Sequence, residues 1–437
     1  MNFSSARSDI LKTLLKNFRL SDGTAACAVI TGTHFSYVGS MCPEDRYDTV
    51  KDCRGGLLIP AFYNTHCHAA MTLFRGYGDE LPLQRWLNER IFPAEDRLTG
   101  EAAYYASLLA CAEMIRSGTV SFSDMYMFED VTARAVSECG MKANLSRGIV
   151  SFDDNADFAA DSRLCEALDL YRNWDGAEDG RIKIELSLHA EYTNVPGFAA
   201  YVSDVCRERG IALQLHLSET KDEHQKCIEK YGYTPTEFFL RAGAFDTRVT
   251  AAHCVWVSDD DIAVLAERGV FVSHNPASNM KLGSGIMPYT NMKRAGVRLS
   301  FGTDGAASNN AQSILREMQL AALIHKGTDC DPTAATAADM LYMATRGGAL
   351  AQGRADCAVI EPGARADVVL IDCDAVNMQP ANDVLSAIMY NADVSNVVMT
   401  MCDGRILYEN GEYKSIDTER VKFNFRSAVS QILQGIH

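Results

Sequence analysis

Two histidines separated by one residue, His66 and His68, end an apolar run in the segment LLIPAFYNTHCH. In a β-strand, residues two positions apart project from the same face, so both imidazole rings point towards one place. A strand can in this way offer two neutral nitrogen ligands to one metal ion. A pair of hydrogen-bonded surface histidines is the alternative, and the spacing alone does not separate the two interpretations.

Further residues of the metal-site type follow later in the chain. His216 in LQLHLSET and Asp304 in FGTDGAASNN also end apolar runs, and with HxH they make a set of nitrogen and oxygen ligands. Glu219 lies just past the strand that carries His216, where a general acid or base can pass a proton to a substrate. His253 in TAAHCVW is placed to orient or deprotonate a water molecule. Taken singly, each histidine also fits a buried core position, and an aspartate before glycine also fits a turn.

Eight short apolar, β-rich runs must position these side chains. They span residues 57–66, 119–125, 142–150, 182–190, 211–218, 248–255, 269–275 and 297–303. Segments with helical periodicity separate the runs, and several of them end in glycine. Strands that alternate with helices favour a parallel sheet, and eight such units favour a closed (β/α)8 TIM barrel of the α/β class. An open doubly wound sheet is the alternative, but the first run lacks the glycine-rich turn that such a sheet uses to bind phosphate.

The carboxyl ends of these runs are unusually polar, and active sites of (β/α)8 barrels form at that end of the strands. In chain order the ends carry His66 and His68, Asp124, Arg147, His189, His216, His253, His274 and Asp304. The joint placement favours one functional centre. The histidines at positions 224, 325 and 437 fall on helical segments or at the terminus, and we expect them to be solvated.

The two ends of the chain have a different pattern. Short strand-like pieces occupy residues 1–56 and 355–437, and GRILYENGEY predicts a hairpin with its turn at Glu409–Asn410–Gly411. We therefore expect the two ends to pair into one small β-sandwich domain beside a catalytic barrel at residues 57–354.

Composition narrows the classes of partner. The 437 residues are 47% hydrophobic and 22% charged, and the net charge of −16 argues against nucleic acid or an anionic membrane surface. The 14 cysteines are scattered through apolar stretches, without a CxxC pair or a secretory start, so we expect reduced thiols in a cytoplasmic protein. No apolar run reaches the roughly 18 residues that a membrane span requires. A small-molecule substrate fits these properties.

The ordered set HxH, HLSE, AAHC and GTDGA resembles the amidohydrolase superfamily over nearly the whole chain. The longer segments PAFYNTHCHAAMTLFRGYGDELPLQRWL, SHNPASNMKLGSGIMP and GTDGAASNN resemble the 5-methylthioadenosine/S-adenosylhomocysteine deaminases. This resemblance implies a barrel enzyme that hydrolytically removes ammonia from the adenine ring of adenosine-type nucleosides. The implied substrates are 5-methylthioadenosine, S-adenosylhomocysteine, adenosine and 5′-deoxyadenosine.

The resemblance also implies one zinc ion, with iron as an alternative for nitrogen and oxygen ligands. The implied metal ligands are His66, His68, His216 and Asp304. Relatives with two metals bridge them by a carboxylated lysine at the end of the fourth strand. Here His189 occupies that end and Lys183 lies at the start of the strand, so we expect a single metal.

The catalytic roles implied by the resemblance fall to Glu219, which protonates ring N1, and to His253 and Asp304, which hold the attacking water. The implied substrate contacts are Glu95 to the ribose hydroxyls, His189 to the purine, Trp86 on the pocket wall, Arg147 and Arg163 near an amino-acid tail, and Ser308. Structural roles remain open for several of them, since Glu95 also fits a helix start, Trp86 a core and the arginines ion pairs within the protein.

Two other functions are compatible with parts of the sequence. A related hydrolase could act on guanine, a pterin or a chlorotriazine, but Glu95 would then have no sugar to bind. A non-enzymatic barrel could serve as an assembly scaffold, but such a protein would have lost ligands, and here all four are present. The resemblance further implies a homo-oligomer.

Overall fold

The computed structural model describes residues 11–81, 83–380 and 382–434, and strands alternate with helices through the middle of this part of the chain. The β-strands are, in chain order, β1 Lys12–Arg19, β2 Ala25–Thr31, β3 His34–Gly39, β4 Thr49–Asp52, β5 Leu57–Pro60, β6 Phe62–His68, β7 Thr119–Tyr126, β8 Lys142–Arg147, β9 Ile182–Ile184, β10 Leu186–Leu188, β11 Leu213–Leu217, β12 Val249–His253, β13 Phe271–His274, β14 Arg298–Phe301, β15 Asp304–Gly305, β16 Val368–Ile371, β17 Val397–Cys402, β18 Arg405–Glu409 and β19 Glu412–Tyr413. The α-helices are α1 Leu83–Trp86, α2 Phe92–Glu95, α3 Gly100–Arg116, α4 Glu129–Cys139, α5 Ser162–Trp174, α6 Ala177–Gly180, α7 Pro196–Arg209, α8 Lys221–Tyr231, α9 Pro235–Arg241, α10 Asp259–Glu267, α11 Pro276–Lys281, α12 Tyr289–Ala295, α13 Ala306–Asn309, α14 Ile314–Asp329, α15 Ala337–Tyr342, α16 Gly348–Ala351, α17 Val384–Tyr390 and α18 Thr418–Leu433.

The strands from β6 to β15 are parallel and form the wall of a barrel. They pair in two arcs, β15-β6-β7-β8-β9 and β10-β11-β12-β13-β14. Glu185 joins the arcs between β9 and β10, because its amide donates to Leu145 O at 3.0 Å while the next amide, of Leu186, donates to Ala212 O at 2.9 Å. The fourth strand of the barrel therefore comprises β9 and β10.

The eighth strand closes the barrel and is also divided in two. After β14, the amide of Gly302 donates to His274 O and that of Thr303 donates to His66 O, both at 3.0 Å. The chain then pairs with the first strand through β15, where Asp304 lies opposite Cys67. The barrel of eight parallel strands expected from the sequence is confirmed.

The apolar run at residues 57–66 does not form one strand, contrary to the sequence prediction. β5 pairs antiparallel with β16 in a separate sheet, and the barrel strand begins at Phe62, whose amide donates to Gly118 O at 3.0 Å. Pro60 has no amide hydrogen to donate to a neighbouring strand, and the chain passes from the separate sheet to the barrel at this residue. The division at residues 57 and 354 stays a prediction.

The two ends of the chain build one sheet beside the barrel. β1 to β5 and β16 to β19 form nine hydrogen-bonded strands, and apolar side chains from both ends share one core, including Leu15, Phe35, Val368 and Met401. The predicted hairpin is confirmed, because Glu409 pairs with Glu412 across a two-residue turn. The N- and C-terminal segments thus form the β-rich part that the sequence predicted.

The interior of the barrel below the strand ends is filled by hydrogen-bonded polar side chains. Glu185 accepts from Asn144 Nδ2 and from Gln214 Nε2, both at 2.7 Å, and Gln352 Nε2 donates to Asn64 O at 2.9 Å. Four of these residues lie two to four positions before the polar ends of their strands, and Gln352 joins them from the segment after α16, so together they form the floor on which the site rests. Among the described residues, no helix has the length and apolar character needed to cross a membrane.

Candidate active site

Four side chains from three barrel strands meet at the carboxyl end of the barrel. His66 and His68 project from β6, and the centroid of the His66 ring lies 4.9 Å from that of His68 and 4.8 Å from that of His216 on β11. Asp304 in β15 places Oδ1 3.1 Å from His68 Nε2 and 3.6 Å from His66 Nε2. The residues singled out as metal ligands from the sequence are therefore brought together.

Backbone carbonyls fix the tautomers of two of these histidines. His68 Nδ1 donates to Met125 O at 2.6 Å, and His216 Nδ1 donates to His189 O at 2.6 Å, since a carbonyl can only accept. In its neutral form each ring then has an unprotonated Nε2, which is the tautomer that a metal-binding histidine requires. Burial lowers the pKa of His68, but the contacts with Asp304 outweigh burial and raise it to about 9.

Asp304 is divided between two sets of partners. Its Oδ2 accepts from Ser278 Oγ at 2.6 Å and from Ser308 Oγ at 2.8 Å, which leaves Oδ1 to face the histidines. Burial alone would raise the pKa of Asp304, but the contacts with His66 and His68 outweigh burial and hold that pKa well below its usual range. Asp304 is therefore anionic at neutral pH.

The donor set fits a divalent metal ion that prefers nitrogen and oxygen ligands. His66 Nε2 is buried and has no hydrogen-bond partner among the described residues, which is costly for a group that no ligand satisfies. Burial lowers the pKa of His66 to about 4 and that of His216 well below its ordinary value, so both rings are neutral. The candidate ligand atoms of His66, His68 and His216 lie within 4.8 Å of one another, as do those of His66, His253 and Asp304. Neutral imidazoles with one carboxylate are a recurrent catalytic metal site.

Glu219 lies two residues beyond β11, at the edge of this cluster. It is half-buried, and Ser284 Oγ donates to its Oε1 at 3.3 Å. Burial raises the pKa of Glu219, partly offset by His253, while the charge of Asp304 raises it further. A carboxyl group with a raised pKa beside a metal cluster is suited to carry a proton in both directions.

His253 ends β12 and stacks on His216, with ring centroids 5.5 Å apart. Its Nδ1 donates a hydrogen bond to Asn279 Oδ1 at 2.8 Å, and its Nε2 is left towards the cluster. Asn279, Ser278 and Ser284 all belong to the segment SHNPASNMKLGSG, for which the sequence suggested no residue roles. The position of that segment directly after a barrel strand was the only signal that could have found them.

Three of the strand ends adopt a backbone conformation that non-glycine residues rarely take. The φ angles are 47° at Ser218, 74° at His253 and 60° at Asp304. Each such residue costs about 1–3 kcal/mol and persists only when its surroundings hold it there. The strained residues lie in or beside the candidate site, where left-handed φ values turn the chain out of each strand.

Two predicted substrate contacts lie at the rim of the cluster. Tyr126 OH donates to Glu95 Oε1, and burial raises the pKa of this half-buried carboxyl group. His189 lies with its ring centroid 4.8 Å from that of His216, and burial lowers the pKa of His189 to about 4, so the ring is neutral. Thr193 Oγ1 contacts His189 Nδ1 at 3.2 Å.

The remaining predicted substrate contacts are paired within the protein, packed in an apolar cluster or exposed to solvent. Arg147 forms an ion pair with Glu166, Nε to Oε2 at 2.8 Å, which is the alternative that the sequence left open. Arg163 is exposed at the start of α5. Trp86 is buried in an apolar cluster that also contains Tyr126, the hydroxyl partner of Glu95.

One of the histidines expected to be solvated is buried. His325 on α14 is only 2% exposed, and its Nε2 lies 3.0 Å from His274 Nε2 while its ring stacks on Tyr289. The helix turns this face inward against β13, so the prediction for His325 was wrong. His224 is half-buried and contacts Ser218, and His437 lies outside the described residues.

The fold and this cluster define a class of metal-dependent hydrolase, and a family comparison agrees. Residues 57–407 match the model of the Amidohydrolase family, and the chain belongs to that family.

Individual relatives are similar over almost the full length. The chain is 41% identical to the 5-methylthioadenosine/S-adenosylhomocysteine deaminase of Dictyoglomus thermophilum over 392 residues, 89% of this chain and 91% of the relative. It is 43% identical to the 5′-deoxyadenosine deaminase of Methanosarcina mazei over 394 residues, 90% of each chain. A crystal structure of an adenosine deaminase from Xanthomonas campestris with bound zinc superposes with a TM-score of 0.89 at 30% identity, covering 97% of this chain and 98% of that one.

Proposed function

We propose that this protein hydrolytically deaminates adenosine-type nucleosides to the corresponding inosine compounds and ammonia. The observation that carries the proposal is the convergence of four ligand-type side chains with a proton-carrying glutamate, Glu219, at the carboxyl end of the barrel. The relatives named as nucleoside deaminases, at 41% and 43% identity, support the choice of substrate class.

The proposed metal is a single zinc ion, with iron as the alternative. The proposed ligands are His66, His68, His216 and Asp304. When bound, the metal supplies Lewis-acid activation of a water molecule at neutral pH. The zinc in the Xanthomonas campestris structure supports this choice of metal.

The proton movements are assigned to residues beside the ligands. Glu219 takes a proton from the attacking water and delivers it to purine N1, which makes C6 electrophilic. The raised pKa of Glu219 favours this role because the group must hold the proton long enough to transfer it. His253, fixed by Asn279, and anionic Asp304 orient the water towards C6. A further proton then reaches the exocyclic nitrogen, and ammonia leaves.

The substrate contacts are proposed around this centre. Glu95 accepts from the ribose hydroxyls, for which its position at the rim and its hydroxyl partner Tyr126 are suitable. His189 contacts the purine, and Ser308 acts through Asp304. Trp86 supports the pocket wall. Arg147 reaches a carboxylated tail only by giving up Glu166, so we propose that small 5′ substituents bind without that rearrangement.

Loss of absorbance at the adenosine maximum tests the function directly. Metal-loaded protein is mixed with 5-methylthioadenosine, S-adenosylhomocysteine, 5′-deoxyadenosine and adenosine, and the ratio of kcat/KM values ranks the 5′ substituents. The variant Glu219→Gln is the matched control, and it should lose about 10²–10⁴-fold in kcat. No conversion of any of the four nucleosides would refute the proposal.

Two further properties belong with this proposal. We propose a cytoplasmic location, which the free state of all cysteines among the described residues supports. We also propose a homo-oligomer, which light scattering of the purified protein tests.

A further inference from the structure

Two buried glutamates lie directly behind the loop that carries Glu219. Glu191 opens the short turn Glu191–Thr193 after β10, and Glu223 lies in the first turn of α8. They are 1% and 9% exposed and line the same cavity of about 300 Å³. Neither residue was singled out from the sequence, and neither has a role in the proposed reaction.

Glu223 holds the main chain of the proton carrier. Its Oε2 accepts from the amide of Glu219 at 3.0 Å and from that of Thr220 at 3.2 Å. Thr220 Oγ1 accepts in return from the amide of Glu223 at 3.2 Å, which completes a capping box at the start of α8. The position of Glu219 therefore depends on where this carboxylate is fixed.

The carboxyl group of Glu223 also interacts with that of Glu191. The two carboxyl groups lie within hydrogen-bonding reach of each other. Glu223 Oε1 and both carboxyl oxygens of Glu191 are buried without a donor among the described residues. Two facing carboxylates in a buried site cannot both stay ionised, and burial raises the pKa of both groups, that of Glu191 to about 7.

We propose that Glu191 and Glu223 hold one proton between them and act as positioning residues that keep Glu219 at the metal cluster. Glu191 follows His189 by two residues, so the shared hydrogen bond also ties the loop of the fourth strand to that of the fifth. The inference rests on the proposed role of Glu219 as the proton carrier.

The neighbouring charged side chains are mostly paired with each other, so the change of charge with pH is assigned to Glu191 and Glu223. The titratable side chains that face the pair are Tyr192 on the same turn, Glu219 on the loop, Cys254 directly after β12, and Asp222, Lys226, Cys227, Lys230 and Tyr231 on α8. On α9, which packs against the same turn, Glu237 and Arg241 pair with each other at 2.8 Å. Lys226 pairs with Asp222 at 2.7 Å, so Lys230 is the cation that favours ionisation of Glu191.

The sign of the pH effect follows from the shared proton. The folded protein retains this proton at pH values where the carboxyl groups of the unfolded chain have lost theirs, so stability falls as pH rises through the raised pKa. Loss of the proton leaves two facing carboxylates that repel each other, which displaces Glu223 and with it Glu219. The alkaline limb of kcat should report that loss.

The variants Glu191→Gln and Glu191→Ala separate the hydrogen bond from mere packing. Glutamine keeps an N–H donor towards Glu223 Oε1 at every pH, so kcat should stay within about threefold and the alkaline limb should move to higher pH. Alanine removes the donor, and kcat should fall roughly 10- to 100-fold with a smaller change in KM. The matched control is Glu229→Gln, an exposed residue of the same helix, which should behave as the wild type.

Two measurements without turnover accompany the kinetics. The infrared absorption of buried protonated carboxyl groups should be weaker in Glu191→Gln than in the wild type by the contribution of one group, and the thermal midpoint of this variant should depend less on pH. If no nucleoside is deaminated, the proposed function fails, but these two measurements still report on the pair. An unchanged infrared band and pH profile in Glu191→Gln, or wild-type kcat in Glu191→Ala, would overturn the inference.

Discussion

At the scale of single residues, each ligand-type side chain directs one polar atom to the proposed metal site and uses its other polar atom in a hydrogen bond to the protein. Asp304 gives one oxygen to Ser278 and Ser308 and the other to the histidines. His68 Nδ1 donates to Met125 O, and His68 Nε2 faces the proposed metal site. Such partners fix ring and carboxylate orientation, and their loss commonly lowers metal affinity.

Replacing Ser278 by alanine tests this orientation. Without its hydroxyl, Asp304 loses the shorter of its two side-chain hydrogen bonds and can rotate, so metal affinity should fall about 10-fold. Metal content after dialysis against a graded series of chelator concentrations measures the change. Ser162→Ala, at an exposed position on α5, is the control and should retain metal as the wild type does. Equal retention by Ser278→Ala would contradict the assignment.

Replacing Ser284 by alanine tests the proton carrier through pH. The hydroxyl of Ser284 donates to Glu219 and lowers its pKa, so its removal should raise that pKa further. Glu219 must be ionised to accept the proton of water, and a higher pKa leaves more of it protonated at low pH. The acid limb of the kcat/KM profile should therefore move to higher pH. A profile that coincides with the wild type would show that Ser284 does not act on Glu219.

The sequence predicted the side chains that point into the site but not those that hold them. His66, His216 and Asp304 could be found because each ends an apolar run, which is a property of the local pattern. Ser278 could not, since its partner Asp304 lies 26 positions away and a serine in a loop has many ordinary roles. His325 was misplaced because a histidine on a helix gives no sign of which face is buried.

At the scale of the elements, the interrupted eighth strand places the carboxylate of Asp304 beside the histidines of the first strand. β14 stops at Phe301, and Gly302 and Thr303 cross to the first strand before β15 begins at Asp304. A Cβ atom at Gly302 would lie 2.4 Å from Asn275 Oδ1, 2.5 Å from Ser273 Oγ and 2.8 Å from His66 Cβ. Only glycine permits this close approach between the strand and the ligand-bearing first strand.

Gly302→Ala should therefore disturb the site from within the strand. The added methyl group must displace His66 or its neighbours, at a cost of about 1–3 kcal/mol in the free energy of unfolding and with a loss of bound metal. Urea unfolding and metal analysis measure both effects. The matched control is Gly327→Ala on α14, where nothing lies within 4 Å of the added atom. Full metal content and wild-type stability in Gly302→Ala would contradict this account.

The sequence predicted the strands better than their interruptions. Apolar runs separated by helices revealed the barrel because hydrophobic periodicity is a local signal. The change of sheet at Pro60, the break at Glu185 and the crossing at Gly302 depend on which strand lies alongside, and no local pattern encodes that.

At the scale of the whole molecule, a buried ion cluster joins the barrel to the flanking sheet. Lys142 on β8 is 1% exposed, and its Nζ lies 2.5 Å from Asp367 Oδ1 and 2.6 Å from Asp403 Oδ1. Tyr63 OH on β6 also donates to Asp367, and Arg365 pairs with Asp403 at 3.0 Å. The two aspartates belong to the C-terminal segments, so the cluster fixes the end of the chain against the barrel.

Removing one charge from a buried cluster costs far more than removing one from the surface, because the partners remain buried without compensation. Lys142→Met should therefore lower the free energy of unfolding by about 3–5 kcal/mol, measured by urea titration. Lys226→Met, which removes an exposed partner of Asp222, is the control and should change it by less than about 1 kcal/mol.

In the double variant Lys142→Met with Asp367→Asn, part of the loss should be recovered, since one uncompensated carboxylate is gone. kcat per folded molecule should stay near the wild-type value in all of these variants, because the cluster lies at the start of the barrel strands and the site at their ends. A fall in kcat per folded molecule of Lys142→Met would instead mean that the flanking sheet positions the site itself.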